Sequence, residues 1–220
     1  IASDFSKAFC FLMDASMLGV GVGFDTKGAE KIILKGPNNT RKSENWTIPD
    51  TREGWVESVR LLLDSYSMGT GVLEFDYSDI RPAGVPIKGF GGESSGPQPL
   101  IDLHNHIREK LDIEVGNALS ITSIVDIMNL IGKCVVSGNV RRTAEIVFGE
   151  PDNDEYLDLK NYEVNPHRAE YGWTSNNSIF AKVGMDYSDS SQRVRYNGEP
   201  GFAWLDNMRD FGRMADAPNF

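Results

Sequence analysis

The sequence predicts an α/β protein. Short alternating runs such as Val72-Leu73-Glu74-Phe75-Asp76-Tyr77, longer runs with apolar residues at helical spacing, and the interleaving of the two along the chain carry that expectation. The 220 residues are 40% hydrophobic and 25% charged, a balance that can bury a sizeable core.

The first helix is expected over residues 3–18, with Ser3 as N-cap and Phe5, Phe9, Leu12, Met13 and Met17 on one face. Glycines at alternate positions follow, in Gly19-Val20-Gly21-Val22-Gly23. Residues 26–50 are polar and read as a surface excursion, with a short strand at 31–34. Asp50 or Thr51 in Pro49-Asp50-Thr51-Arg52-Glu53-Gly54-Trp55 can cap a helix reaching Met68, with Trp55, Val59, Leu62, Leu63 and Tyr66 on its apolar side. A strand at 72–77 leads into a glycine-dense loop, 79–97, and then two helices, 98–115 and 122–137. The second of these turns Ile124, Ile127, Met128, Ile131, Cys134 and Val135 inward. A short helix at 153–160 and strands at 173–182 and 201–205 complete the reading.

A formal net charge of -10 argues against a general nucleic-acid-binding surface, so a phosphate site must be a local pocket of positive charge. No apolar run approaches the roughly 20 residues needed to span a bilayer. No basic-then-apolar leader opens the chain. Cys10 and Cys134 each lie in an apolar run, which predicts buried, reduced thiols and a cytoplasmic protein.

Several candidate sites fail on geometry. The alternating glycines lack the strand-before, helix-after context and the spacing of a dinucleotide fingerprint, although they let a backbone approach a ligand closely. His104 and His106, two apart on a helix, point about 200° away from each other and cannot share an ion. His167 reads as a solvated loop residue. Two cationic loops remain. Residues 79–97 combine Arg81 and Lys88 with Gly84, Gly89, Gly91, Gly92, Gly96 and Ser94-Ser95, which suits either a phosphate cradle or a surface loop. Ser137-Gly138-Asn139-Val140-Arg141-Arg142-Thr143-Ala144 carries two guanidinium forks suited to phosphate or carboxylate. It reads equally as a solvated turn whose arginines pair with Glu145 and Glu150.

Seven ordered motifs resemble adenosylcobalamin-dependent (class II) ribonucleotide reductase. They are Phe11-Leu12-Met13-Asp14, Gly19 to Phe24, Pro49 to Trp55, Ser78-Asp79-Ile80-Arg81-Pro82 with its glycine loop, Gly138 to Glu145, Ser175-Asn176-Asn177-Ser178, and Asn197-Gly198-Glu199-Pro200-Gly201. The resemblance implies roughly the first half of a ten-stranded α/β barrel. Residues 1–24 would start the half, 25–78 would be the insertion of the B12-dependent class, and 79–220 would continue the half with two specificity loops. It implies effector-phosphate contacts from Arg81 and Lys88. It makes Gly138, Asn139, Val140, Arg141, Arg142, Thr143 and Ala144 the loop that relays effector identity, with Arg141 and Gly19 at the substrate.

The parent implied is a ribonucleoside-triphosphate reductase that uses thiyl-radical chemistry for DNA precursor synthesis. Its partners would be a ribonucleotide substrate, a deoxynucleotide effector and a thioredoxin-like reductant, with adenosylcobalamin bound mostly outside these residues. The family's Asn-Pro-Cys-Gly-Glu radical motif and its redox cysteine pair are absent, so the sequence is expected to be an internal piece without catalytic residues of its own. A non-catalytic nucleotide-binding module and an iron-dependent reductase large subunit are the alternatives.

Overall fold

Residues 5–41, 43–88, 91–137 and 143–213 are described by a computed structural model. Its main sheet has four parallel strands among these residues, β1 (Val22–Asp25), β4 (Glu145–Gly149), β5 (Ser175–Ala181) and β6 (Gly201–Trp204), in the order β1-β4-β5-β6. Val22 lies opposite Glu145, Glu145 opposite Ser175, and Ser178 opposite Gly201. Parallel neighbours require crossovers. α4 (Ile121–Val136) leads into β4, α5 (Asp154–Leu157) and two 3-10 turns lie between β4 and β5, and α6 (Ser188–Asn197) joins β5 to β6. The sheet is open among the described residues, an arc of the expected α/β architecture rather than a closed barrel.

α1 (Phe5–Met17) buries Phe5, Phe9, Leu12, Met13 and Met17, the face its spacing predicts; the expected cap, Ser3, lies outside the described residues. α1 packs on α2 (Arg52–Met68) and on α4, and α4 packs on α3 (Gln98–Asp112). Together they enclose the main core of Leu12, Leu62, Leu63, Leu100, Ile107, Ile127 and Ile131. Thr51 caps α2, its hydroxyl accepting from the Gly54 N–H at 2.9 Å, and Gly69 closes it at φ +69°, a conformation open to glycine. A smaller core of Val125, Val147, Tyr156, Leu157 and Ile179 surrounds α5.

Several expectations need correction. Residues 31–34 form no strand: Ala29–Lys31 is a 3-10 turn, and Ile33 makes a lone antiparallel bridge to Ala118. The polar stretch 26–50 is not merely a surface excursion, because Leu34 and Ile48 are buried and β2 (Glu44–Thr47) pairs in parallel with β3 (Leu73–Asp76). The strand expected from residue 173 starts at Ser175, after a 3-10 turn over Gly172–Thr174. β4, α6 and α7 (Leu205–Phe211) were not anticipated. No helix among the described residues is long and apolar enough to cross a membrane.

Candidate functional site

An open cleft lies where the N-terminus of α2, the hairpin-like loop after β3 and the C-terminal turn of α4 converge. Asp50, Thr51, Arg52 and Trp55 come from the first of these, and Arg81, Ile87 and Glu93-Ser94-Ser95 from the second. Cys134 and Val135 come from the third, and Met17 from the end of α1. The lining divides into apolar side chains (Met17, Trp55, Ile87, Val135) and polar ones that offer hydroxyls, guanidinium groups and the carboxylates of Asp50 and Glu93. That division suits a ligand with an aromatic or apolar body and an anionic end.

The loop 79–97 is folded back on itself. Gly84 N–H bonds the Ser94 carbonyl at 2.9 Å, Ser94 N–H the Val85 carbonyl at 2.8 Å, and Ile87 N–H the Gly92 carbonyl at 2.9 Å. Ser94 Oγ in turn accepts from Gly96 N–H at 3.0 Å. The fold aims Arg81 into the cleft, where its Nε donates to Asp50 Oδ2 at 2.5 Å with both side chains about a third exposed. Arg52 bridges Asp14 and Glu53 at the cleft's edge. The Glu53 carboxyl is held below its usual range, first by a backbone hydrogen bond and then by Arg52. Lys88 is exposed and does not line the cleft, so the two cations the sequence groups together part company. Cys134 is buried, and burial pushes its thiol up to about 12; Cys10 is half-buried rather than buried, and burial pushes it up to about 12 as well. Neither is a ready nucleophile.

Gly138, Asn139, Val140, Arg141 and Arg142 lie outside the described residues. Their two flanks do not. On one side, the last turns of α4 place Cys134 and Val135 in the cleft wall. On the other, Thr143 Oγ1 donates to Ser16 Oγ at 2.8 Å, and the Ala144 carbonyl accepts from Val22 N–H at 2.9 Å. Gly21 lies against Ala144, and a Cβ there would meet the Ala144 carbonyl at 3.5 Å. Gly19, at φ +79°, turns the chain out of α1 with open space beside it. The two flanks of this stretch therefore lie at the cleft and at the glycine segment, two places the sequence singled out separately.

The arginines of the solvated-turn reading lie outside the described residues; of the two acids it named, Glu145 is 3% exposed and bonded to Asn129, and Glu150 pairs with Lys27 at 3.5 Å. Sequence reasoning placed Trp55, Cys134 and Val135 only on the core side of their helices. Their share in the cleft depends on the crossing of α2 and α4, for which no local signal exists. His104 is buried, with Nε2 3.0 Å from Ser58 Oγ and Nδ1 2.7 Å from Tyr77 Oη, and His106 bonds its own helix's carbonyl at Asp102. Among the described residues no group of three or more His, Cys, Asp or Glu is placed to hold a metal ion.

A family model described as "B12-dependent ribonucleotide reductase, insertion domain" matches residues 27–111. The chain is 62% identical over 212 residues to an adenosylcobalamin-dependent ribonucleoside-triphosphate reductase of Euglena gracilis, covering 96% of this chain and 29% of that protein. It is 57% identical over 224 residues to a probable enzyme of the same name from Dictyostelium discoideum, covering 95% and 30%. A crystal structure of a B12-dependent (class II) ribonucleotide reductase superposes with a TM-score of 0.80 at 31% identity, over 93% of this chain and 33% of that one. The chain thus spans about a third of the length of these relatives.

Proposed function

We propose that the chain is a segment of a B12-dependent (class II) ribonucleotide reductase, and that its parent reduces ribonucleoside triphosphates to 2′-deoxyribonucleoside triphosphates. In this reading the segment supplies allosteric specificity and substrate positioning, while the radical and redox cysteines lie elsewhere in the parent. A thioredoxin-like protein would return the reducing equivalents, in the cytoplasm.

The cleft takes the effector deoxynucleotide. Its base rests on the Met17, Trp55, Ile87 and Val135 wall, and its phosphates replace Asp50 as the partner of Arg81. Lys88, exposed beside the cleft, adds attraction at longer range. Residues 138–144 relay the occupancy of the cleft to the substrate, which Arg141 and the backbone at Gly19 contact. The observation that carries this reading is the pair of flanks: the relay starts in the cleft wall at Val135 and ends against Ser16 and Gly21.

Adenosylcobalamin supplies radical generation when bound, but the described residues offer it no donor set. Both ring nitrogens of His104 are engaged in the core, His106 is tied to its own helix, and neither thiol is ionised near neutrality.

The test uses the full-length parent. Arg81→Ala should weaken effector binding by about tenfold or more, the cost of losing one charge-assisted contact. Arg141→Ala should abolish the change in substrate preference that an effector induces. Unchanged effector affinity in the first and an unchanged preference shift in the second would refute the assignment.

A further inference from the structure

Glu145 is the first residue of β4, directly after residues 138–144, and its carboxyl points into the protein. Oε2 accepts from Asn129 Nδ2 at 3.0 Å, while Oε1 has no hydrogen-bond partner among the described residues. Oε1 lies against the backbone of Gly132, where a Cβ would collide with it and would meet the Thr174 Cβ at 3.2 Å. Asn129 and Gly132 belong to α4, the helix that enters residues 138–144, and Glu145 belongs to the strand that leaves them. One side chain therefore ties the two flanks together.

We propose that Glu145 is a positioning residue: through Asn129 and Gly132 it sets where α4 stands relative to β4, and so the frame from which residues 138–144 reach effector and substrate. The proposal rests on the reading of those residues as a relay.

The carboxyl does this as a neutral acid. Burial raises its pKa to about 8, against the opposing pull of the Asn129 hydrogen bond and of Lys160. Among the described residues Lys160 is the charged group that acts on it from the neighbouring elements, and its Nζ is already taken by the carbonyls of Gly172 (2.5 Å) and Ser175 (2.6 Å) and lies 3.5 Å from Glu199. Val22, Thr174 and Ser175, from the other packed elements, carry no charge. Because the folded pKa lies above the ordinary value of 4.5, this contribution to stability is complete below pH 4.5 and is lost as pH rises towards about 8. Above that the carboxylate is buried without adequate partners, and the join between α4 and β4 loosens.

The experiment compares wild-type full-length parent with Glu145→Gln, Glu145→Ala and Arg141→Ala. It reads basal turnover and effector-induced substrate preference from about pH 6 to about pH 9, with a thermal melt to establish folding. Wild type should keep the preference shift at low pH and lose it as pH passes about 8. Glu145→Gln, a neutral isostere, should keep it throughout. Glu145→Ala should reduce it about tenfold at every pH, within the range of allosteric couplings. The same alkaline decline in Glu145→Gln as in wild type overturns the proposal, and that arm decides alone where Glu145→Ala does not fold. Loss of the preference shift in Arg141→Ala, alongside a full shift in Glu145→Ala, overturns the positioning role and leaves the relay intact. A full shift in Arg141→Ala overturns the relay and this proposal with it.

Discussion

Along α4, charged groups are handled in two ways. At its C-terminal end the helix borders the cleft, where Arg81 and Asp50 hold each other while both are about a third exposed. Nearer its start, Asp126 is wholly buried against a wholly buried Arg168, whose Nε stands 2.9 Å from Oδ1 in a contact of charges rather than a well-directed hydrogen bond. Lys110 at 2.6 Å and the Tyr171 hydroxyl at 3.0 Å complete the surroundings of Asp126. Exposed pairs contribute about 0–1 kcal/mol and exchange partners readily, whereas breaking a buried pair costs about 3–5 kcal/mol. The cleft is therefore built to change partners and the Asp126 cluster to keep them. On the proposed reading, that difference separates a ligand site from a framework made of the same residue types.

The largest effect is expected on the framework side. Asp126→Ala leaves the Arg168 cation buried without its counter-charge and should cost about 3–5 kcal/mol in chemical denaturation of the full-length parent. The paired change Asp126→Leu with Arg168→Met should recover most of that loss, because it removes the wholly buried charge pair and leaves only Lys110, about a fifth exposed, to turn to solvent. A double variant no better than the single would break the contrast as drawn.

His104 tests the same principle through pH. Burial, then the Arg108 charge, lowers its pKa from 6.5 to about 3. Its folded value lies below its unfolded one, so the stability it contributes is present above about pH 6.5 and is lost as pH falls towards about 3. Wild type should show a falling thermal midpoint across that window, and His104→Gln a flatter one. Equal slopes would mean another group governs acid stability.

The smallest effect belongs to the cleft. Arg81→Ala should change stability by less than about 1 kcal/mol, even where it weakens ligand binding strongly. A loss as large as that of Asp126→Ala would show that Arg81 is framework rather than ligand site.

How far the molecule is legible from its residues varies from element to element. α2 is fully legible, since Thr51 supplies the cap, Val59, Leu62, Leu63 and Tyr66 the buried face, and Gly69 the stop. β2 is not, because Glu44-Asn45-Trp46-Thr47 has no apolar alternation and is a strand only by pairing with Leu73–Asp76. α6 likewise lacks an apolar stripe, burying only Ser190, and forms as the crossover that two parallel neighbours require. In the site, Arg81 was legible as a cation in a glycine-rich loop. Its separation from Lys88 was not, because it depends on how the loop folds back through Gly84, Ser94 and Gly92.

By itself the sequence determined the helical faces, the main turns and, through seven motifs in order, the family resemblance, because these depend on local spacing and on residue identity. Tertiary structure alone decided the rest. It turned Glu145 from a surface charge into a buried acid, brought Cys134 and Val135 into one cleft with Trp55, and set Thr143 and Ala144 against Ser16 and Val22. The physical reason is that burial and proximity are properties of crossings between elements. A glutamate's charge state is set by what packs over it, and no residue within its own strand supplies Asn129, Gly132 or Lys160.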